Sequence, residues 1–193
     1  MSKTVRNRVT LSGEVDLVAE QRRILRSAAW SALLCAAVLT ASCWLLPRFF
    51  QPPEALAERI AFAVQADLLV LVWLLVAVRM VSSGRYRSAD DNRGSAFSAP
   101  SPALAIKVAF LQNTLEQVVL AVGAHLALAT LVSGASLFFI PAAVLLFGIG
   151  RIAFLQGYPK GAGARSFGMA TTALPTAAAF AWAIYLIGRD LLT

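Results

Sequence analysis

Histidine occurs once in the 193 residues and cysteine twice, and no spacing among them resembles a zinc finger or another metal-ligand cluster. The lone His125 excludes a multi-histidine metal centre, and its place near the outer end of an apolar run points to an interfacial or interhelical hydrogen bond. Cys35 and Cys43 fall inside one apolar run, where they read as buried thiols and not as a structural disulfide. Charge is scarce as well: 14% of residues are charged and 59% are hydrophobic, an unusual balance for a soluble domain of this size. Acidic residues number 10 against 17 basic ones, giving a formal net charge of +7. The basic residues flank apolar runs, so a membrane surface accounts for the excess and nucleic acid does not. A cleaved leader is not expected, because about 27 mostly polar residues precede the first apolar run and no small-residue cleavage site follows it.

Continuous apolar sequence is abundant. A helix needs about 20 mainly apolar residues to cross a hydrocarbon core of about 30 Å. Five stretches meet that length: 28–46, stopped by Pro47 and Arg48, then roughly 60–80, 104–128, 135–154 and 171–187. Their apolar content is unbroken and not alternating, which excludes a β-barrel. The expected fold class is all-α, a polytopic membrane helix bundle of five spans. Pro141 and Pro175 are placed to kink or start their helices. Trp30, Trp44, Trp73 and Trp182 include residues near span ends, which suits interfacial anchoring.

Charge asymmetry supplies a direction. Segment 1–27 carries Lys3, Arg6, Arg8, Arg22, Arg23 and Arg26; the second connection carries Arg79, Arg85, Arg87, Arg93 and Lys107; Arg151, Lys160 and Arg165 surround the fourth. These three sets are expected on the cytoplasmic side. Opposite them, Arg48 and Arg59 stand beside Glu54 and Glu58, the third connection is uncharged, and Arg189 adjoins Asp190. The expected topology is an inside N-terminus and an outside C-terminus, consistent with five crossings in a bacterial inner membrane. Segment 81–103, rich in Ser, Gly, Ala, Arg and Asp, reads as a flexible cytoplasmic loop, with Pro102 placed to start the next helix.

Polar residues interrupt the third span at Gln112, Asn113, Glu116 and Gln117. Glu116 and Gln117 lie three and four positions beyond Asn113, so these three share a face, and a carboxylate at membrane depth is expected to look inward toward protein or a wet cavity. The same face also fits interhelical hydrogen bonding alone. After the fourth span, Arg151, Gln156, Tyr158, Lys160 and Arg165 lie among Gly157, Pro159, Gly161 and Gly163, which break the helix or tighten its turn. A positive cluster above the Asn–Glu face suits a peptide-like anion; ordinary headgroup anchoring explains many of the charges but not Glu116. Asp67, early in the second span, is placed to face a neighbouring helix.

These stretches carry a resemblance over roughly residues 60–193. Asn113-Thr-Leu-Glu116 is similar to the second-helix Asn-x-x-Glu of the MAPEG family, the membrane-associated proteins of eicosanoid and glutathione metabolism. Arg151-Ile-Ala-Phe-Leu-Gln-Gly-Tyr158, followed by Arg165, resembles the third-helix ending and catalytic arginine of the cysteinyl-leukotriene synthase in that family. The resemblance implies a four-helix membrane domain at 60–193, preceded by a basic tail at 1–27 and an additional span and connection at 28–59. It further implies a homotrimer in contact with membrane lipid, binding glutathione as co-substrate between subunits. Asn113, Glu116 and Tyr158 would contact the peptide, Arg165 would stabilise its thiolate, Lys160 would keep a charge near it, and Arg79 matches the first-helix arginine. The chain departs from the family pattern at Ala109, Gln117 and Phe154, which replace an arginine and two tyrosines, and at Lys160, which replaces an arginine and loses its bidentate fork.

The implied activity is a glutathione transferase or peroxidase acting on hydrophobic electrophiles that enter from the lipid. A non-catalytic lipid- or protein-binding member of the same fold is the alternative. A transporter finds less support, since no internal repeat stands out.

Overall fold

The computed structural model describes residues 16–94 and 96–192; Lys3, Arg6 and Arg8 lie outside the described residues. Five long helices account for most of the described chain: α1 (Leu17–Leu45), α2 (Leu56–Tyr86), α3 (Pro102–Leu131), α4 (Phe139–Gly157) and α5 (Ala162–Leu192), with short 3-10 turns at Leu46–Arg48, Gly134–Phe138 and Tyr158–Lys160. No strand occurs among the described residues, and all five helical segments are long and apolar enough to cross a membrane. The chain is an integral membrane protein of five spans.

Each helix starts and stops where local chemistry directs. Asp16 caps α1 by accepting from the backbone N–H groups of Val18 and Ala19 at 3.1 Å each. Pro102 begins α3 behind Ser101, whose hydroxyl accepts from Leu104 N–H at 3.3 Å. Gly161, at φ 101°, supplies the left-handed turn between the 3-10 segment and α5. Three helices run beyond their apolar stretches. α1 begins at Leu17 and carries Arg22, Arg23 and Arg26 on its first turns; α2 continues to Tyr86; α5 begins at Ala162, nine residues before the expected 171. In each case the extension is polar or small-residue sequence that helical hydrogen bonding continues through once the apolar part has set the direction.

Successive helices alternate in direction through short connections, so one end of the bundle gathers the N-termini of α1, α3 and α5 with the C-termini of α2 and α4. α4 packs most extensively on α5, α2 on α3, and α1 on α5, with α4 also touching α2 and α1. The α4–α5 contact is a backbone approach: a β-carbon on Gly168 would collide with the backbone of Phe154 and Gly150, and one on Gly150 would collide with Thr172. Pro175 sits buried inside α5 and cannot donate to the carbonyl of Thr171; the Cys35 thiol of α1 donates to that oxygen at 3.9 Å. Cys35 is buried, Cys43 half-buried, and both are free thiols.

Polar pairs tie helices together inside the apolar bundle. His125 of α3 and Asp67 of α2 meet at 2.7 Å with side chains 1% and 2% exposed, the interhelical bond expected for both. Ser31 of α1 bonds Thr171 of α5 at 2.8 Å, and Ser42 donates to the carbonyl of Phe138 at 2.7 Å. Arg59 donates to the carbonyl of Val132 at 2.7 Å, joining the start of α2 to the end of α3. Of segment 81–103, read from sequence as a flexible loop, α2 takes the first part and α3 the last, and the connection between them contains its own clasp: buried Asp91 accepts from Ser101 N–H at 2.8 Å and from the Ser101 hydroxyl at 2.7 Å.

Candidate functional site

At the end of the bundle where α4 turns into α5, a cavity of about 520 Å³ opens between α1, α3, α4 and α5. Its polar lining is Asn113, Tyr158, Arg165 and Ser166, and its apolar lining includes Ile24, Ala28, Ala109, Phe154 and Met169. The close α4–α5 crossing fixes the turn that carries two of these groups. Tyr158 opens the 3-10 segment, Gly161 reverses the chain, and Arg165 lies in the first turn of α5. The Arg165 guanidinium stacks over the Tyr158 ring, 4.6 Å from its centroid. No carboxylate lies within ion-pair reach of Arg165 among the described residues. A cation at a helix N-terminus adds to the positive end of the helix dipole, so both favour an anion in the cavity.

Behind the cavity lies a second cation. Arg151 of α4 is completely buried, donating from Nη1 to Asn113 Oδ1 at 2.7 Å and from Nε and Nη2 to Thr172 Oγ1 at 3.2 and 2.9 Å. Thr172 passes its own proton to the carbonyl of Gly168 at 2.9 Å, which leaves its lone pairs to the guanidinium. The faces of Phe154 and Phe147 lie 5.0 and 5.5 Å from the guanidinium carbon. Arg151 has no carboxylate partner among the described residues, so its charge is met by dipoles and ring faces alone.

This arrangement orients Asn113. A guanidinium only donates, so the oxygen of the Asn113 amide must face Arg151 and its NH2 is left to donate elsewhere. Asn113 lines the cavity, and an amide donor there suits a carboxylate or carbonyl acceptor.

Of the residues singled out from sequence, Asn113, Tyr158 and Arg165 come together in this cavity, and so do two of the departures, Ala109 and Phe154. Arg79, Glu116 and Lys160 do not line it. Arg79 donates to Ser83 at 2.6 Å on the exposed side of α2, and Lys160 lies exposed beside Glu20, Arg23 and Arg26. Glu116 corrects the expectation that it looks inward. Phe110, Thr114, Gln117, Val118 and Ala121 take the buried stripe of α3, and Glu116 stands off that stripe, exposed, accepting from Gln112 at 2.9 Å. Arg151 is likewise no surface charge. Gly150 beside it was the signal that α4 runs close to another backbone there, and an arginine in such a contact turns inward. The Arg151–Thr172 bond and the α1 residues Ile24 and Ala28 carried no motif in the sequence.

The MAPEG family model matches residues 60–185, nearly two thirds of the chain and all of α3 and α4. No curated protein and no solved structure matches the chain significantly. The matched region includes Asn113, Arg151, Tyr158, Arg165 and Thr172, and it leaves α1 outside. The chain is a member of the MAPEG family, a membrane protein of the glutathione- and eicosanoid-metabolism class with an additional helix before the family region.

Proposed function

We propose that this protein is a membrane-bound glutathione transferase or peroxidase for hydrophobic electrophiles. The observation that carries the reading is the convergence of Arg165, Tyr158 and Asn113, whose amide oxygen is taken by Arg151, on one largely apolar cavity, with the buried charge of Arg151 behind it. Arg165 holds the glutathione sulfur as thiolate. A free thiol titrates near pH 8.5, and each unit of depression beside a cation is worth about 1.4 kcal/mol. The thiolate attacks an apolar electrophile, or the peroxide oxygen of a lipid hydroperoxide; in the second case two glutathione molecules give one disulfide, an alcohol and water. Asn113 donates to a peptide acceptor, and Tyr158 contacts the peptide while its ring supports the Arg165 guanidinium.

The reading includes a homotrimer. Glu116 and Gln112 form an exposed polar pair on the side of a membrane helix, a costly group to leave against lipid, and a second copy laid on that face covers it. Arg79, Glu116 and Lys160 then reach a ligand bound between subunits. The basic ends of α1, α2 and α4 favour a cytoplasmic N-terminus and an inner-membrane setting, with 28–59 as an addition to a four-helix domain at 60–193.

The competing reading, a lipid- or protein-binding member without catalysis, draws on Ala109 and Phe154, which give the cavity apolar wall where the family pattern has an arginine and a tyrosine. Calorimetric titration of glutathione into the intact detergent complex, beside Arg165→Ala, separates the two. Binding to the parent with loss of thiolate absorbance in the variant supports the enzyme; no binding to an intact parent complex supports the alternative.

A further inference from the structure

The cavity has a wall that the family region does not supply. Helix α1 ends before residue 60, where the match begins, yet Ile24 and Ala28 line the same cavity as Asn113, Tyr158 and Arg165. One turn apart, at i and i+4, they present adjacent side chains from one face of α1.

That face is pinned on both sides of the cavity. One turn before Ile24, the Glu20 carboxylate accepts from the backbone N–H of Gly163 at 2.6 Å, at the start of α5 and two residues from Arg165. The approach is close, because a β-carbon on Gly163 would press on Arg23 and Glu20. Beyond Ala28, fully buried Ser31 bonds Thr171 at 2.8 Å, and Cys35 continues the same stripe to the carbonyl of Thr171. Residues 20 and 31 are about 16 Å apart along a helix, so the two polar contacts hold α1 in one register with the cavity between them. A helix docked on lipid-like apolar contact alone slides and turns easily, whereas paired polar contacts fix it.

We propose that α1 is the specificity wall of the pocket, and that Ile24 and Ala28 set how long and how broad an apolar group the site accepts beside the thiolate. The inference rests on the glutathione reading and deepens it. Ala28 leaves room at the wall, and a larger side chain there takes that room away; Ile24 occupies room that a smaller side chain returns.

The test uses the full-length protein in lipid nanodiscs and two ligands, S-methylglutathione and S-hexylglutathione, titrated by calorimetry. Ala28→Phe is expected to weaken the hexyl ligand at least tenfold while leaving the methyl ligand within about twofold. Ile24→Ala is expected to change the ratio of the two affinities in favour of the hexyl ligand, by about four- to fifteenfold for one or two extra methylenes accommodated. Leu33→Phe, on the exposed side of the same helix, is expected to change neither. Equal effects of Ala28→Phe on both ligands, or none on either, would overturn the wall. Should no S-alkylglutathione bind the parent, the glutathione reading fails, and n-alkylsulfonates of the same two lengths, which ask only for a cation, read the wall by the same ratio. A retained melting temperature in Ala28→Phe guards against a docking failure of α1 in the bulkier variant, and the Ile24→Ala ratio reads the wall without added bulk.

Discussion

Arg151 Nη1 lies 2.7 Å from Asn113 Oδ1, and that single bond decides which way the Asn113 amide faces. It makes Arg151 a positioning residue for the cavity although it does not line it. Asn113→Asp tests this. A carboxylate at the same place gives the buried guanidinium a charged partner, so stability is expected to hold or rise. The amide donors vanish and a negative charge faces the ligand, so glutathione affinity is expected to fall at least tenfold. Asn113→Leu leaves one arm of a buried cation unsatisfied and is expected to destabilise by about 2–3 kcal/mol. Thermal melting and calorimetry on the two variants separate the roles; equal ligand affinity in parent and Asn113→Asp would put the NH2 outside the site.

Arg165 is expected to behave in the opposite way. It is half-buried and stacks on Tyr158 without a hydrogen bond to a side chain or an ion pair among the described residues, so little folding energy depends on it. Arg165→Ala should leave the melting temperature nearly unchanged and lower turnover by two orders of magnitude, about 2.7 kcal/mol of transition-state stabilisation. Arg165→Lys keeps the charge but loses the planar stack and is expected to fall between. Difference absorbance of bound thiolate at graded pH checks the assignment: its midpoint should move up in Arg165→Ala.

The five spans and the Pro102 start were legible because each depends on a local property, apolar length or a fixed φ; Asp67 and His125 were each read as facing a neighbouring helix, but that they face one another depends on how α2 and α3 dock. Arg151 was not legible, because a basic residue near the end of a span is ordinarily a headgroup anchor, and only the Gly150–Gly168 crossing turns this one inward. Glu116 misled for a related reason. Spacing groups it with Asn113 and Gln117, but a helix face is broad, and these three residues occupy its half-buried, exposed and buried parts. The convergence of Asn113, Tyr158 and Arg165 followed from motif order, whereas the α1 wall depends on tertiary docking that no short motif encodes.

The α4–α5 crossing is a steric prediction. Gly168→Ala introduces a β-carbon against the backbone of Phe154, where no flexible side-chain end can yield, so the helices must part. Separation pulls Thr172 from Arg151 as well. The expected cost is about 2 kcal/mol or more, read as a lowered melting temperature in detergent, with Gly188→Ala, which meets nothing, as the neutral control.

Asp67 and His125 form a coupled pair that single substitutions should break unequally with a double one. Removing either partner leaves a buried polar group alone between α2 and α3, at a cost of about 3–5 kcal/mol. Replacing both by leucine removes the need for a partner and is expected to recover much of that loss. A double-mutant cycle on melting stability gives the coupling directly; strict additivity would mean that the 2.7 Å contact carries no energy of its own.

Outside the membrane, Asp91 makes the α2–α3 loop sensitive to pH. Hydrogen bonds from Ser101 N–H and its hydroxyl, with smaller help from Ser88 and the charge of Arg85, hold the Asp91 carboxyl below its ordinary value. A carboxyl with a depressed folded-state pKa binds protons less readily folded than unfolded, so its stabilisation is present above the ordinary carboxylate pKa and is lost as pH falls through the folded value. The loop clasp should therefore be closed at neutral pH and open in acid. An acid-active protease such as pepsin, applied across pH 2 to about 4.5, where it is itself active, is expected to cut within 88–101 in the parent only at the acid end. Asp91→Asn cannot form the charged clasp and should be cut across the whole range, while protease sensitivity that stays the same in both proteins would place the pH response elsewhere.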